Sequence, residues 1–383
     1  MKLAYVTTYS SSDIRKFSGL AYHIGKAFTD QSIALDVIDS LSEPFSPVFK
    51  AKQAAYRFLA GKRHLRDREP FILRSYAGQV AKKLANTNCD AVFSPGTISL
   101  SYLDCNLPIV FWTDATFAGM VDFYPEFSKL SAETVRNGNR AEQAALSRCR
   151  LALYASDWAA RSAIENYQVD PSKVQVVPFG ANLENNPTYD DVKAATCSRP
   201  KDLCRLLFLG ADWSRKGGDL AIEVTRTLNG RGIRSELTIA GCAPPSPQPT
   251  FVRSLGFINK ALPDEAARLD RLLAESHFLI VPSRAECFGH VFCEASAFGV
   301  PSLTTNVGGI PTAVRDNLNG KTFPIEANAD EYCDYIEEIL RNEARYRELA
   351  SSAFNEYQTR LNWQVAGRTA KQLIHDYCSG SFQ

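Results

Sequence analysis

Phe278-Leu279-Ile280-Val281-Pro282-Ser283, followed by Glu286-Cys287-Phe288-Gly289-His290-Val291-Phe292-Cys293-Glu294, is the stretch that decides the fold of this chain. The first six residues are a short apolar run of the kind a buried strand needs, and a helix is expected over Phe288–Phe298. Glu286 then stands at the tip of a strand-to-helix turn, with Glu294 eight residues further on. At helical rise the two carboxylates are about 12 Å apart and rotated by about 80°. That is wider than the roughly 5–9 Å between the paired carboxylates of sugar-hydrolysing sites. It suits instead a ligand as long as a sugar joined through two phosphates to a ribose. Gly289 lets the backbone approach a phosphate, and the first helical N–H groups point at it.

Outward from this stretch, strands and helices alternate. On the amino-terminal side come strand Leu203–Gly210, helix Asp219–Leu228, strands Glu236–Ala240 and Val252–Gly256, helix Asp264–Ala274 and strand His277–Pro282. Strand Ser302–Thr305 follows the helix, and the tail from Asp330 to Tyr377 reads as mostly helical. An earlier block shows strands Leu3–Thr8, Asp90–Ser94, Pro108–Thr113, Leu151–Ala155 and Val174–Pro178. Alternation of this kind implies parallel sheets covered by helices on both faces. At 383 residues the chain exceeds one ordinary core. The expectation is a first domain over 1–180, a polar linker over 181–202 and a second domain over 203–361. A last helix, about 362–377, is expected to pack back on the first domain.

Ligands of such sheets bind beyond the carboxyl ends of the strands, where this chain places its glycine loops. Gly210-Ala211-Asp212-Trp213-Ser214-Arg215-Lys216-Gly217-Gly218 reads either as a diphosphate clamp, with Lys216 as a point charge and Arg215 as a fork donor, or as a solvated loop. Its spacing is not that of a Walker A loop. Asn306-Val307-Gly308-Gly309-Ile310-Pro311 forms a further loop of this type or a plain tight turn. Ser18-Gly19 opens the first helix after the polar loop Tyr9–Phe17, and Asp114 ends a strand where it orients an acceptor hydroxyl or caps a turn. His290 either donates to a phosphate as a partly positive imidazole or fills the turn. The other histidines lack metal-ligand spacing, so no metal is expected.

Formal net charge is +1, with 22% charged and 45% hydrophobic residues, the composition of a soluble globular enzyme. Nothing marks nucleic-acid recognition, and no apolar run reaches the length of a membrane span. The ten cysteines form no Cys-x-x-Cys pair, so reduced thiols and a cytoplasmic place are expected. Residues 50–83 carry ten Lys and Arg against Asp67 and Glu69, interleaved with Tyr56, Phe58, Leu59, Leu65, Phe71, Ile72, Leu73 and Tyr76. This is a solvated helical face or a patch for peripheral contact at the inner face of an anionic membrane.

Several of these segments together resemble the retaining nucleotide-sugar glycosyltransferases of family 4, the glycosyl transferases group 1. They are Lys216-Gly217, Gly256-Phe257-Ile258, Val281-Pro282-Ser283, the spaced glutamates, Gly299-Val300-Pro301, Gly308-Gly309-Ile310-Pro311 and Asn319-Gly320. Ser18-Gly19 and Val176-Val177-Pro178-Phe179-Gly180 carry it in the first domain. The resemblance implies an α/β GT-B fold, two Rossmann-like doubly wound domains facing a central cleft. It implies transfer of a hexose from a UDP-, GDP- or ADP-sugar to a hydroxyl acceptor (a glycan, a lipid or a small molecule), with no metal and no cofactor.

By the same resemblance, Glu286 binds sugar hydroxyls and Glu294 ribose hydroxyls, while Phe288, Gly289 and His290 present backbone groups. Lys216, on the loop that begins at Gly210, neutralises the diphosphate; Gly19 beside Ser18 closes over the phosphates; Phe257-Ile258 lies by the base. The chain departs from the family at Ala211, where an Arg is usual, leaving Arg215 as its substitute, and at Thr113, where many members carry His before Asp114. Two other readings stay open: a nucleotide-sugar epimerase of the same fold, and an inactive sugar-nucleotide-binding scaffold subunit.

Overall fold

The computed structural model describes residues 1–378. The chain divides into two compact units, Met1–Pro178 joined by the residues from Ala366 on, and Phe179–Val365.

The first unit is built on a parallel sheet of six strands: β1 (Lys2–Val6), β2 (Ala34–Ile38), β3 (Ala91–Ser94), β4 (Ile109–Thr113), β5 (Leu151–Tyr154) and β6 (Val174–Val176), in the order β2-β1-β3-β4-β5-β6. Every residue of β3 and β5 is buried, as a strand covered on both faces requires. β2 went unread in the sequence because it is an edge strand: only its last residue is buried, so Ala-Leu-Asp-Val-Ile has no clean apolar signal. The carboxyl-terminal helix Trp363–Cys378 ends in this unit, where Lys371 Nζ donates to Gln31 O over 2.7 Å.

The second unit repeats the plan with β7 (Cys204–Leu209), β8 (Ser235–Ala240), β9 (Val252–Ser254), β10 (Phe278–Val281), β11 (Ser302–Thr305) and β12 (Gly320–Phe323), ordered β12-β11-β10-β7-β8-β9. Strand order reverses between β7 and β10, whose register pairs Phe278 with Leu206. A crevice at such a switch point lies at the carboxyl ends of the two strands, and the loops Gly210–Gly217 and Pro282–Gly289 leave from there. β11 reads Ser-Leu-Thr-Thr and is nevertheless fully buried; Thr304 Oγ1 is satisfied by Val281 O at 2.7 Å.

The segment 181–202, read as a linker, contains the helix Tyr189–Ser198 and belongs to the second unit. Its apolar periodicity is faint because only Val192 and Thr196 of the helix are buried. Its start is fixed by a reciprocal capping box between Thr188 and Asp191, and its end by Arg199. The buried Arg199 guanidinium donates to Phe298 O, Gly299 O, Ala274 O and Tyr346 Oη.

Candidate functional site

In the second unit four loops leave the carboxyl ends of β7, β8, β10 and β11, and hydrogen bonds lock three of them together. Arg284 N–H donates to Arg215 O at 2.7 Å, and Gly309 N–H to Glu286 O at 3.0 Å. Gly217 sits at φ 73°, and a Cβ there would collide with the Pro282 carbonyl oxygen. The first glycine loop therefore packs directly on the strand-to-helix turn that carries Glu286.

This packing joins Lys216 to Glu286. Lys216 Nζ donates to Glu286 Oε2, and Arg215 Nη1 approaches the same oxygen at 3.4 Å while donating to Ala285 O at 2.8 Å. Lys216 and Glu286 are 6% and 8% exposed, so this is a buried, two-cation carboxylate site. Burial alone would raise the Glu286 carboxyl; Lys216 and then Arg215 outweigh it and hold the group below the usual carboxylate range. Glu286 is thus kept ionised and is poorly suited to act as an acid. Gly210 leaves room for the lysine stem, since a Cβ there would lie 2.9 Å from Lys216 Cγ.

The helix expected from Phe288 begins at His290 and runs to Ala297, because Gly289 takes the left-handed N-cap position at φ 92°. Glu286 is therefore on the turn, outside the helix, and the 12 Å helical span does not apply to the pair. Phe288 is buried and packs edge-on against Phe179 at 5.5 Å. Of the two readings of His290, the ring takes the one that fills the turn. Its Nδ1–H donates to Gly180 O at 3.0 Å, it stacks on Phe179 at 5.5 Å, and burial lowers its pKa, so the ring is neutral with Nε2 unprotonated. Cys293 near the helix start is buried, and burial pushes its thiol up, which does not suit a nucleophile.

Glu294 is 1% exposed. Its Oε1 accepts from Lys260 Nζ at 2.5 Å, and its Oε2 has no hydrogen-bond partner among the described residues. A buried, bare carboxylate oxygen is an acceptor waiting for a donor. Lys260 was not legible in the sequence: it stands in an irregular loop with no helical or strand spacing to Glu294. The same loop presents Phe257, 74% exposed, beside the buried Ile258.

Ser18, Gly19 and Asp114 lie in the first unit. Phe17, Ser18 and Gly19 are three consecutive left-handed residues, with φ 47°, 55° and 73°, leading into the helix Leu20–Asp30. Asp114 follows β4, half-buried, and the polar loop after β1 comes beside it: burial first, and the Asp114 charge second, raise Tyr9 to about 12.

A cavity of about 620 Å³ in the second unit lies elsewhere, among Leu203, Cys204, Arg234 and His277 at the amino ends of the strands. Its cations are engaged internally: Arg231 holds Asp330, Asp334 and Glu337, and Lys201 holds Glu343. Among the described residues no group of three or more His, Cys, Asp or Glu is placed to hold a metal ion.

Residues 198–356 match the family of glycosyl transferases group 1. The second unit is a group 1 glycosyltransferase domain. The chain is 27% identical over 244 residues to the D-inositol 3-phosphate glycosyltransferase of Mycobacterium marinum, covering 62% of this chain and 51% of that protein. With the enzyme of the same name from Actinosynnema mirum it is 29% identical over 225 residues, 55% of this chain and 53% of the relative. The chain thus spans about half the length of the curated relatives it matches. Among solved structures, sucrose-phosphate synthase from Thermosynechococcus elongatus superposes with a TM-score of 0.70 at 17% identity, covering 99% of both chains. The Anabaena protein HepE, in complex with UDP and glucose, gives a TM-score of 0.60 at 14% identity over 97% of this chain and 98% of that one. The fold is GT-B, with two Rossmann-like α/β domains.

Proposed function

We propose that the chain is a retaining glycosyltransferase that moves a hexose from a nucleotide-diphosphate sugar to a hydroxyl acceptor without a metal. The observation that carries this reading is the buried Lys216–Glu286 pair at the β7/β10 switch point, with the bare oxygen of Glu294 in the following helix. As the glycosyl bond breaks, charge builds on the diphosphate. Fixed cations that need no reorganisation stabilise that charge, and removing one such donor typically costs about 10²–10³ in rate. Lys216 is the principal cation, and Arg215 takes the part left vacant at Ala211. Glu286, held ionised, accepts from sugar hydroxyls, and Glu294 accepts from the ribose. Phe288, Gly289 and His290 contribute backbone groups, Ser18 and Gly19 meet the phosphates, and Phe257 with Ile258 flanks the base. Asp114 orients the acceptor hydroxyl, whose proton passes to an oxygen of the leaving phosphate.

That the HepE neighbour was solved with UDP and glucose supports a uridine donor first. A thermal-shift screen against UDP-, GDP- and ADP-sugars, followed by incubation without acceptor, tests the reading. Released nucleotide with free sugar is the expected outcome. A changed sugar would mean an epimerase, and binding with no turnover under any condition would mean a scaffold subunit.

Peripheral contact with an anionic membrane through part of 50–83 belongs to the same reading. The helix Ser46–Ala60 buries no residue, and Phe58 and Leu59 are 81% and 87% exposed. The patch is narrower than the sequence suggested: Ile72, Leu73 and Tyr76 are core, and Lys52 is tied to Glu69 and Glu133. Among the described residues no helix is long and apolar enough to cross a membrane.

A further inference from the structure

The first unit carries a groove of about 440 Å³ between the segment after β4 and one face of the helix Asp157–Asn166. That volume lies in the range of small-molecule sites, roughly 300–1,000 Å³. Trp158, Arg161, Ser162, Glu165 and Asn166 follow helical spacing and line one wall; Asp122 and Phe123 line the other. The Trp158 and Phe123 rings pack on one another, 5.0 Å apart at 35°. Gly119 lies close beneath the pair: a Cβ there would come 3.3 Å from Trp158 Cη2 and 3.1 Å from Ser162 Oγ.

Several polar groups around the ring pair are unused. The Arg161 guanidinium, the Asp122 and Glu165 carboxylates and the Trp158 indole N–H have no hydrogen bond or ion pair among the described residues. Asn166 donates through its amide nitrogen to Ser162 O at 2.9 Å and leaves its side-chain oxygen open. Arg161 and Glu165 stand four residues apart on the helix, the spacing at which such a pair normally closes, yet they remain apart. The groove also belongs to the acceptor-side elements, because the segment that forms it begins two residues after Asp114 with the cap Thr116.

We propose that this groove is a saccharide subsite, holding a neutral pyranose of a glycan acceptor; the inference rests on the glycosyltransferase reading above. The partly exposed side of the Trp158–Phe123 pair takes the apolar C–H face of the ring, and planar donors and acceptors beside it take the hydroxyls. One guanidinium against two carboxylates disfavours a phosphate or an acidic sugar. The acceptor is thereby a glycan rather than a bare lipid or a small aglycone, and its chain extends away from Asp114 along the helix Asp157–Asn166.

Saturation-transfer NMR on the full chain with maltose, cellobiose, lactose and mannobiose tests this, with glucose 6-phosphate as the anionic control. At least one disaccharide should show transfer to its ring C–H protons, weakened at least fivefold in Trp158→Ala and in the double variant Arg161→Ala, Glu165→Ala. The double variant alters only exposed side chains and decides the matter if Trp158→Ala does not fold. Transfer to none of the four, equal transfer in the variants, or preference for glucose 6-phosphate would overturn the proposal. UDP binding by thermal shift is measured in parallel. Its retention without saccharide binding removes the subsite alone, whereas its loss in the wild-type chain removes the transferase reading.

Discussion

Lys260 Nζ sits 2.5 Å from Glu294 Oε1, while the other oxygen of that buried carboxylate is bare. The lysine neutralises the buried charge, and on the proposed reading it holds an oxygen that a ribose diol would share. Two consequences follow for Lys260→Met. Breaking a fully buried pair costs about 3–5 kcal/mol and an exposed one at most about 1. With Lys260 partly exposed, a loss of roughly 1–3 kcal/mol is expected. The Tm gain on saturating UDP should then exceed that of the wild type, because ligand hydroxyls supply the partner the carboxylate has lost. Differential scanning fluorimetry with and without UDP reads both, and an unchanged increment would remove Lys260 from the nucleotide site.

Lys216→Met and Glu286→Gln separate chemistry from stability. Both residues are buried, so deleting either charge leaves the other desolvated and should lower stability by about 3 kcal/mol. Their rate effects should differ in kind. If Lys216 acts on the developing diphosphate charge as proposed, kcat of Lys216→Met should fall about 10²–10³-fold with KM little changed. Glu286→Gln retains hydrogen-bonding capacity toward the sugar and should discriminate less well between donor sugars at a given base. Steady-state kinetics with UDP-glucose and UDP-galactose distinguishes these outcomes; wild-type turnover by Lys216→Met would refute the assigned role.

These residues were legible to different degrees, for physical reasons. Of the strands around Glu286, β10 is a continuous apolar run and β7 nearly so, as strands covered on both faces of a parallel sheet are, while β8 and β11 mix polar residues into buried positions. The edge strands β2 and β12 do not stand out, since each has solvent on part of its surface. Lys216 and Glu286 were each legible in a loop at a strand end, but their pairing comes from the adjacency of β7 and β10 in the sheet. The Glu294–Lys260 pair joins a helix to an irregular loop, and tertiary packing alone brings the two together. The sequence left two readings of His290 open because its environment, not its position in the motif, sets its charge: Phe179, Trp363 and Gly180 O surround it. Glu142 gave a faint signal, lying among Ala141, Ala145 and Leu146 on the buried face of a polar helix.

The exposed helix Ser46–Ala60 gives a prediction independent of catalysis. Phe58→Glu with Leu59→Glu removes no buried area and should leave Tm within about 1 °C of the wild type, as surface changes generally cost under about 0.5 kcal/mol. If the helix meets a membrane, sedimentation with phosphatidylserine vesicles at low salt should be lost in this variant. Failure of the wild type to sediment would dispose of the membrane contact.

Glu142 and His277 contribute to the stability of the two units with opposite pH dependence. Burial, against a hydrogen bond from Thr97, raises Glu142 from 4.5 to about 7, and Glu142 Oε1 has no partner among the described residues. The folded first unit then holds a proton that the unfolded chain has released. Its stability falls as pH rises from 4.5 to 7, by about 3 kcal/mol for this group. His277 is the reverse case. Burial, then the Arg199 charge, lowers it from 6.5 to about 4, while the ring accepts from Arg205 N–H and donates to Pro200 O. The second unit therefore loses about 3 kcal/mol as pH falls from 6.5 to 4. Glu142→Gln, which mimics the protonated carboxyl, should be more stable than the wild type at pH 8 and no more stable at pH 4.5. His277→Asn should be less stable than the wild type at pH 7.5, with the gap closing towards pH 4. Calorimetry across this range measures both differences, and parallel pH profiles for wild type and variants would refute the assignment of these two groups.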